Sequence, residues 1–255
     1  MNVLIRGGGD IASGVALRLH RTGYRVVIAE LAQPFAVRRT VSFSEAIYEM
    51  VWTVEEVTAR KAESNSEAAD LLQKGIIPVL VAPELDSVSL DYSILIDARL
   101  TKKAEDFNLP TQTLVIGLGP GFTAGINCHA AIETNRGHTL GRVSWKGSTL
   151  PDTSNPEGDP RRVLRAPMDG TIASYVEIGQ HVEGGQEVAR VSGVPVTSPF
   201  KGIVRGMIHP GLKVNKGLKI GDIDPRDDPD LCRLVSDKAL AVGGGVLEAI
   251  LSYKK

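Results

Sequence analysis

The chain opens with a short apolar run, Asn2–Arg6, that reads as a strand, and Gly7, Gly8, Gly9 and Asp10 follow it without a spacer. Over residues 11–20 the apolar positions Ile11, Val15, Leu17 and Leu19, with small residues between them, suit a helix packed on a sheet. Gly23 ends that helix, and residues 25–29 (RVVIA) form a second strand that stops at Glu30. The pattern then alternates. Pro34 breaks the second strand, Ser42 and Glu45 make a capping box for a helix over 43–50, and residues 57–60 suit a strand. Ser64 and Glu67 cap a helix over 66–74 that Gly75 closes, and 76–81 is a continuous apolar run of the kind a strand covered on both faces shows.

Residues 93–96 make the next strand, which ends at Asp97, Ala98 and Arg99. Residues 114–116 lead into a second glycine turn, Gly117, Leu118, Gly119, Pro120 and Gly121. A helix over 126–134 carrying Cys128, His129 and Glu133, then a closing strand over 140–145, complete this region. Strands alternating with helices predict a parallel sheet. The fold class expected for 1–150 is therefore an α/β, Rossmann-like parallel-sheet domain.

Residues 151–162 hold prolines and hardly an apolar residue, a linker by composition. Beyond it the chain repeats itself at an offset of 32: the stretch from Ala166 to Ile172 matches Ser198 to Val204, Gly179 matches Gly211, Val182 matches Val214, and Gly185 matches Gly217. Short strands and glycine turns at matching places predict a small all-β unit of pseudo-twofold symmetry over 163–225. The pattern resembles the biotinyl/lipoyl carrier fold, a barrel-sandwich hybrid. Those carriers bear a modifiable lysine on the hairpin joining the halves, where this chain has Ser192-Gly193-Val194-Pro195, so no lipoyl or biotin is expected. Residues 226–255 read as a helical segment broken at Gly243-Gly244-Gly245, three glycines that allow either close packing or a hinge.

The chemistry suggested by the opening turn is anion binding. In G-x-G-x-x-A, Gly7 permits the tight turn, Gly8 lies within it, Gly9 lets backbone approach a phosphate, and Ala12 lets helix and strand pack closely. Amides at the helix start face the anion, as Asp10 opens the first turn, and Glu30 stands where an acid can hold a ribose hydroxyl. The same stretch also reads as a tight turn with no ligand. Arg38 and Arg39 suit a bidentate clamp on a carboxylate or phosphate, or a solvated surface pair. Asp97 and Arg99 follow a parallel strand, at the edge where such sheets bind ligands, or form a local ion pair. Gly117, Gly119 and Gly121 would complete the crevice. His129 and His138 could act as acid, base or ligand, though a histidine met singly is more often structural.

Composition narrows the partners. The 255 residues carry a net charge of −1, which gives no footprint for nucleic acid or an anionic membrane surface. The apolar run near Pro78 is too short to span a bilayer. The strand that begins within two residues of Met1 leaves no room for a signal peptide, and Cys128 and Cys232 have neither disulfide-scaffold nor zinc spacing. A cytoplasmic location with no metal site is expected. No nucleophile-base order and no Walker-type lysine turn is present, so no reaction class or catalytic residue follows.

The motifs GGGDIASG at 7–14, RRTVSFSEAIY at 38–48, DAR at 97–99, and GLGPGFTAG with IETNRGH between 117 and 138 are together more specific than any one alone. With the repeat, they resemble the YqeB family, accessory proteins of selenium-dependent molybdenum hydroxylases, over nearly the whole chain. The resemblance implies a role in maturation of such hydroxylases, with the hydroxylase or its maturation machinery as partner. It implies no defined reaction. The bound species could be a nucleotide or the pterin-pyrophosphate of a molybdenum cofactor. An NAD(P)-dependent oxidoreductase using the same crevice, or a docking scaffold needing no small ligand, remain as alternatives.

Overall fold

A computed structural model describes residues 1–103, 109, 112–152 and 158–253. The middle of the expected linker, 153–157, lies outside the described residues. The chain forms two compact units: one of residues 1–34, 42–153 and 235–255, the other of residues 35–41 and 154–234.

The first unit is built on strands β1 (Asn2–Arg6), β2 (Arg25–Glu30), β3 (Val51–Val54), β4 (Val57–Ala62), β5 (Ile77–Val81), β6 (Ile94–Asp97), β7 (Leu114–Leu118), β8 (Thr123–Ala124), β9 (Ala130–Ile132), β10 (Val143–Ser144) and β11 (Gly147–Ser148). Its helices are α1 (Asp10–Arg21), α2 (Ala46–Glu49), α3 (Asn65–Gln73) and α4 (Asp237–Ser252). Nine strands join one sheet in the order β10-β9-β7-β6-β1-β2-β5-β4-β3, and β8 pairs with β11 apart from it. The strands from β9 across to β4 run parallel, whereas β3 and β10 pair antiparallel at the two edges.

This corrects the expected fold class. The sheet is mixed, and helices do not alternate regularly with strands. No helix spans 126–134: the positive φ angles of Gly119, Gly121 and Gly125 turn the chain, Asn127 ties the loop by accepting from Thr123 N and donating to Gly121 O, and β9 follows. The helix that covers this end of the sheet comes instead from residues 237–252. Continuous apolar runs show that a strand is buried, but they do not show the direction of its neighbours or which distant helix covers it.

α3 packs Ala68, Leu71 and Leu72 against Leu4, Val27, Leu80, Leu95 and Val115 on one face. The alternate residues Val3, Ile5, Ile28, Ile96 and Ile116 are buried as well, facing the other side. There α4 crosses α1 and reaches Ile132. The glycine triplet does not break α4, whose 16 residues run through it. A Cβ on Gly243 would come 2.9 Å from the Gly14 carbonyl oxygen, and one on Gly245 would overlap the Gly141 carbonyl. These glycines serve close packing.

In the second unit β12 (Val163–Arg165), β19 (Lys219–Asp224), β17 (Gly202–Met207) and β14 (His181–Val182) form one four-stranded sheet. β16 (Val194–Thr197), β15 (Glu187–Val191), β13 (Gly170–Ser174) and β18 (Lys213–Val214) form another. The matching strands begin 32 residues apart, Gly170 with Gly202, His181 with Lys213 and Glu187 with Lys219, and each half lends its short middle strand to the other's sheet, β14 to β17 and β18 to β13. Two separate antiparallel sheets, one extended by β12 from outside the repeat, replace the expected carrier-type barrel-sandwich hybrid. A repeat spaces the strands without choosing their pairing. The first part of the expected helical segment 226–255 is a single 3-10 turn, Pro229–Cys232. Among the described residues no helix is long and apolar enough to cross a membrane.

The α4 glycines differ in their surroundings, which gives a test. Gly244 has no neighbour within 4 Å of an added Cβ, so Gly244→Ala should stabilise by about 0.5–1 kcal/mol through helix propensity. Gly245→Ala should destabilise by about 1–3 kcal/mol through overpacking. Urea denaturation measures both, and shifts of the same sign and size would contradict this packing.

Candidate functional site

The carboxyl ends of the parallel strands bring several of the expected residues side by side. Register pairs Arg6 of β1 with Asp97 of β6, Asp97 with Gly117 of β7, and Glu30 of β2 with Val81 of β5. Gly7, Glu30, Asp97, Arg99 and Gly117 therefore share one sheet edge.

The opening turn is held from several directions. Gly7 has φ +92, a conformation that favours glycine, and its N–H donates to Ala29 O at 2.8 Å. The Gly8 N–H donates to Glu30 Oε2 at 2.6 Å, and Leu31 N donates to Oε1 of the same carboxylate at 2.7 Å. Burial pushes the Glu30 carboxyl up from its ordinary value, against the pull of those N–H groups. The Gly8 carbonyl accepts from Ser44 N at 2.9 Å and from Ser13 Oγ at 3.2 Å, and Ser13 Oγ in turn accepts from Phe43 N at 2.8 Å. Ser44 presses on the turn so closely that a Cβ on Gly8 would meet its N at 2.9 Å. Its hydroxyl is buried and has no hydrogen-bond partner among the described residues.

Gly9 caps α1 with φ −68 and ψ −176, ordinary extended backbone, and among the described residues nothing lies within 4 Å of where its Cβ would be. Neither conformation nor packing requires a glycine there. Asp10 Oδ1 accepts from Ile11 N at 3.0 Å, while among the described residues the N–H groups of Gly9 and Ala12 have no acceptor. These donors at the positive end of a 12-residue helix suit an anion.

Asp97 is fully buried, bound by Arg99 Nη2 at 2.6 Å and by Arg6 Nη1 at 3.5 Å. Arg6 was not anticipated as part of this edge; its one signal is a cation closing an otherwise apolar strand. Ser13 and Ser44 lie inside the motifs at 7–14 and 38–48, but nothing in their spacing marked them as anchors of the turn. Gly117 lies beneath the Phe122 ring, Gly119 against Thr134 and Gly121 against the Lys103 carbonyl, so these three accommodate protein neighbours.

Arg38 and Arg39 belong to the second unit. Arg38 Nη2 donates to the carbonyls of Leu231 and Leu234 at 3.1 and 2.9 Å, and Arg39 Nε to that of Met207 at 2.8 Å. Glu133 is buried and accepts from Asn135 N and Leu150 N. Burial pushes the Cys128 thiol up to about 12, which keeps it protonated and unreactive. His138 is exposed.

No protein-family profile matches the chain. Over 254 residues, 98% of its length, it is 45% identical to the uncharacterized protein YqeB of Escherichia coli K12. The chain is similar to YqeB along almost its whole length. It spans about half of that protein, 47% of its length. Among solved structures, an aspartoacylase family protein from Mesorhizobium loti overlaps with a TM-score of 0.28 and 16% identity, over 87% of this chain and 84% of that one. A succinylglutamate desuccinylase from Silicibacter sp. TM1040 gives a TM-score of 0.26 and 13% identity, again over 87% and 84%. The ectoine utilization protein EutE (DoeB) from Ruegeria pomeroyi, with product bound, gives 0.24 and 22% over 31% of this chain and 27% of that one. Scores this low do not establish a common fold.

His129 is a structural acceptor: Val115 N donates to its Nδ1 at 3.0 Å, and its ring meets Tyr253 edge-on at 5.8 Å. Burial lowers its pKa from the ordinary 6.5. The unfolded chain then binds this proton more readily, so the stability His129 contributes is complete above about pH 6.5 and falls as pH drops towards the folded value. Denaturation between about pH 8 and pH 5 should show a steeper loss for the parent than for His129→Asn. Equal slopes would contradict the acceptor role.

Proposed function

We propose that the first unit binds a phosphate-bearing small molecule at the turn from Gly7 to Asp10, and that this binding serves maturation of a selenium-dependent molybdenum hydroxylase. The observation that carries the first part is Gly9, a glycine that among the described residues neither backbone nor packing explains, with two N–H groups, its own and that of Ala12, that meet no acceptor there. A phosphate oxygen in the space where a side chain would stand accounts for both. The unpartnered Ser44 hydroxyl is a further polar group at the same turn. Asp97, Arg99 and the Gly117 turn border the site from the neighbouring strands. The second part rests on the resemblance of the motifs at 7–14, 38–48, 97–99 and 117–138 to the YqeB family; the 45% identity to YqeB, a protein named as uncharacterized, supports the family likeness alone. A nucleotide and a pterin-pyrophosphate both present the required group.

Gly9→Val tests the site cleanly. With φ −68 and open space around the Cβ, the variant should fold, with stability within about 1 kcal/mol of the parent. Calorimetry with ADP and with inorganic pyrophosphate should show binding by the parent and at least tenfold weaker binding by the variant. Unchanged affinity in Gly9→Val, or no binding by the parent to either compound, would overturn the proposal and favour a docking scaffold without a small ligand.

A further inference from the structure

An acid at the end of the second strand suggests a direct contact with a ribose, but both Glu30 oxygens are engaged elsewhere. Oε2 accepts from Gly8 N at 2.6 Å and Oε1 from Leu31 N at 2.7 Å. Both are charge-assisted bonds to main chain, and together they fix the carboxylate plane on the sheet edge. The other end of the same glycine residue is held as firmly, because its carbonyl accepts from Ser44 N and Ser13 Oγ. A trans peptide points its N–H opposite to its C=O. With the Gly8 carbonyl turned towards Ser13 and Ser44, the Gly9 N–H is directed the opposite way, where no acceptor among the described residues meets it.

We infer that Glu30 is a positioning residue: it clamps Gly8 so that the Gly9 N–H is aimed at the bound anion, and it acts on the phosphate of the ligand, not on a sugar. This deepens the phosphate-binding reading of the turn and rests on it. The ligand class that follows is set by the phosphate or pyrophosphate group, with or without an attached ribose. Ser13 anchors the opposite end of the clamp. A flexible turn would have to be ordered at the moment of binding, and the clamp removes that cost in advance.

The test compares a sugar-free ligand with a sugar-bearing one. Glu30→Gln should weaken inorganic pyrophosphate and ADP by the same factor, roughly tenfold for a lost charge-assisted bond. The Gly8 amide proton should at the same time lose the downfield position that a short bond to a carboxylate gives. Ser13→Ala, which cuts the other anchor, should weaken both ligands in parallel and provides the test if Glu30→Gln proves too unstable to measure. A loss confined to ADP would show a ribose contact and overturn the inference, as would a Glu30→Gln variant that binds both ligands like the parent. Failure of the parent to bind either ligand would instead overturn the underlying phosphate-binding reading.

Discussion

The carboxylate of Glu30 joins the end of one parallel strand to the turn that begins the first helix, and the edge of the sheet is organised around that link. Without it, the Gly8 amide would be a donor at a crowded edge with no acceptor, and the peptide leading into Gly9 would be held from one side only. The link depends in turn on packing some distance away. β2 is placed by its parallel neighbours β1 and β5, and α1 is pressed into position by α4 through contacts so close that side chains at Gly14, Gly243 and Gly245 would collide with backbone. A site built from backbone amides needs such a frame, since no side chain can adjust to correct a misplaced turn.

The second unit is held by a different kind of interaction. Asp222 and Asp224, both buried on β19, are surrounded by Arg162, Arg205, Lys219 and Arg226. Burial alone would raise the Asp224 carboxyl, but the side-chain and backbone bonds from Arg226 and the charges of Arg226 and Arg162 outweigh it and bring it down to about 2. Arg38 and Arg39 add to this unit by holding carbonyls, in the manner of structural arginines. Their pairing in the sequence had the look of an anion clamp because a guanidinium suits a carbonyl and a phosphate equally well.

Local order in the first unit was legible from residue pattern: β1, α1, β2, α3 and β5 follow from apolar spacing, glycine stops and the Ser64 cap, which the structure forms with Glu67 N at 3.1 Å. The overall arrangement was not. Antiparallel edge strands, the missing helix after Gly121 and the return of α4 to the first unit are all tertiary choices, made by contacts between residues far apart in the chain. The glycine turn itself was legible, and its conformation separates roles that sequence merges: Gly7 is required by φ, Gly8 by Ser44, and Gly9 by nothing among the described residues. Ser13 and Ser44 sit within the quoted motifs, but their role was not legible because contacts that define it join residues thirty or more positions apart.

The site stands or falls on whether the amides of Gly9 and Ala12 receive an anion. A titration of the isotope-labelled parent chain with inorganic pyrophosphate, followed by amide proton and nitrogen shifts, tests it most directly. Saturable shifts that are largest at Gly9 and Ala12 are expected. Saturable shifts located elsewhere with these two amides unmoved, or no saturable shift at any amide, would contradict it.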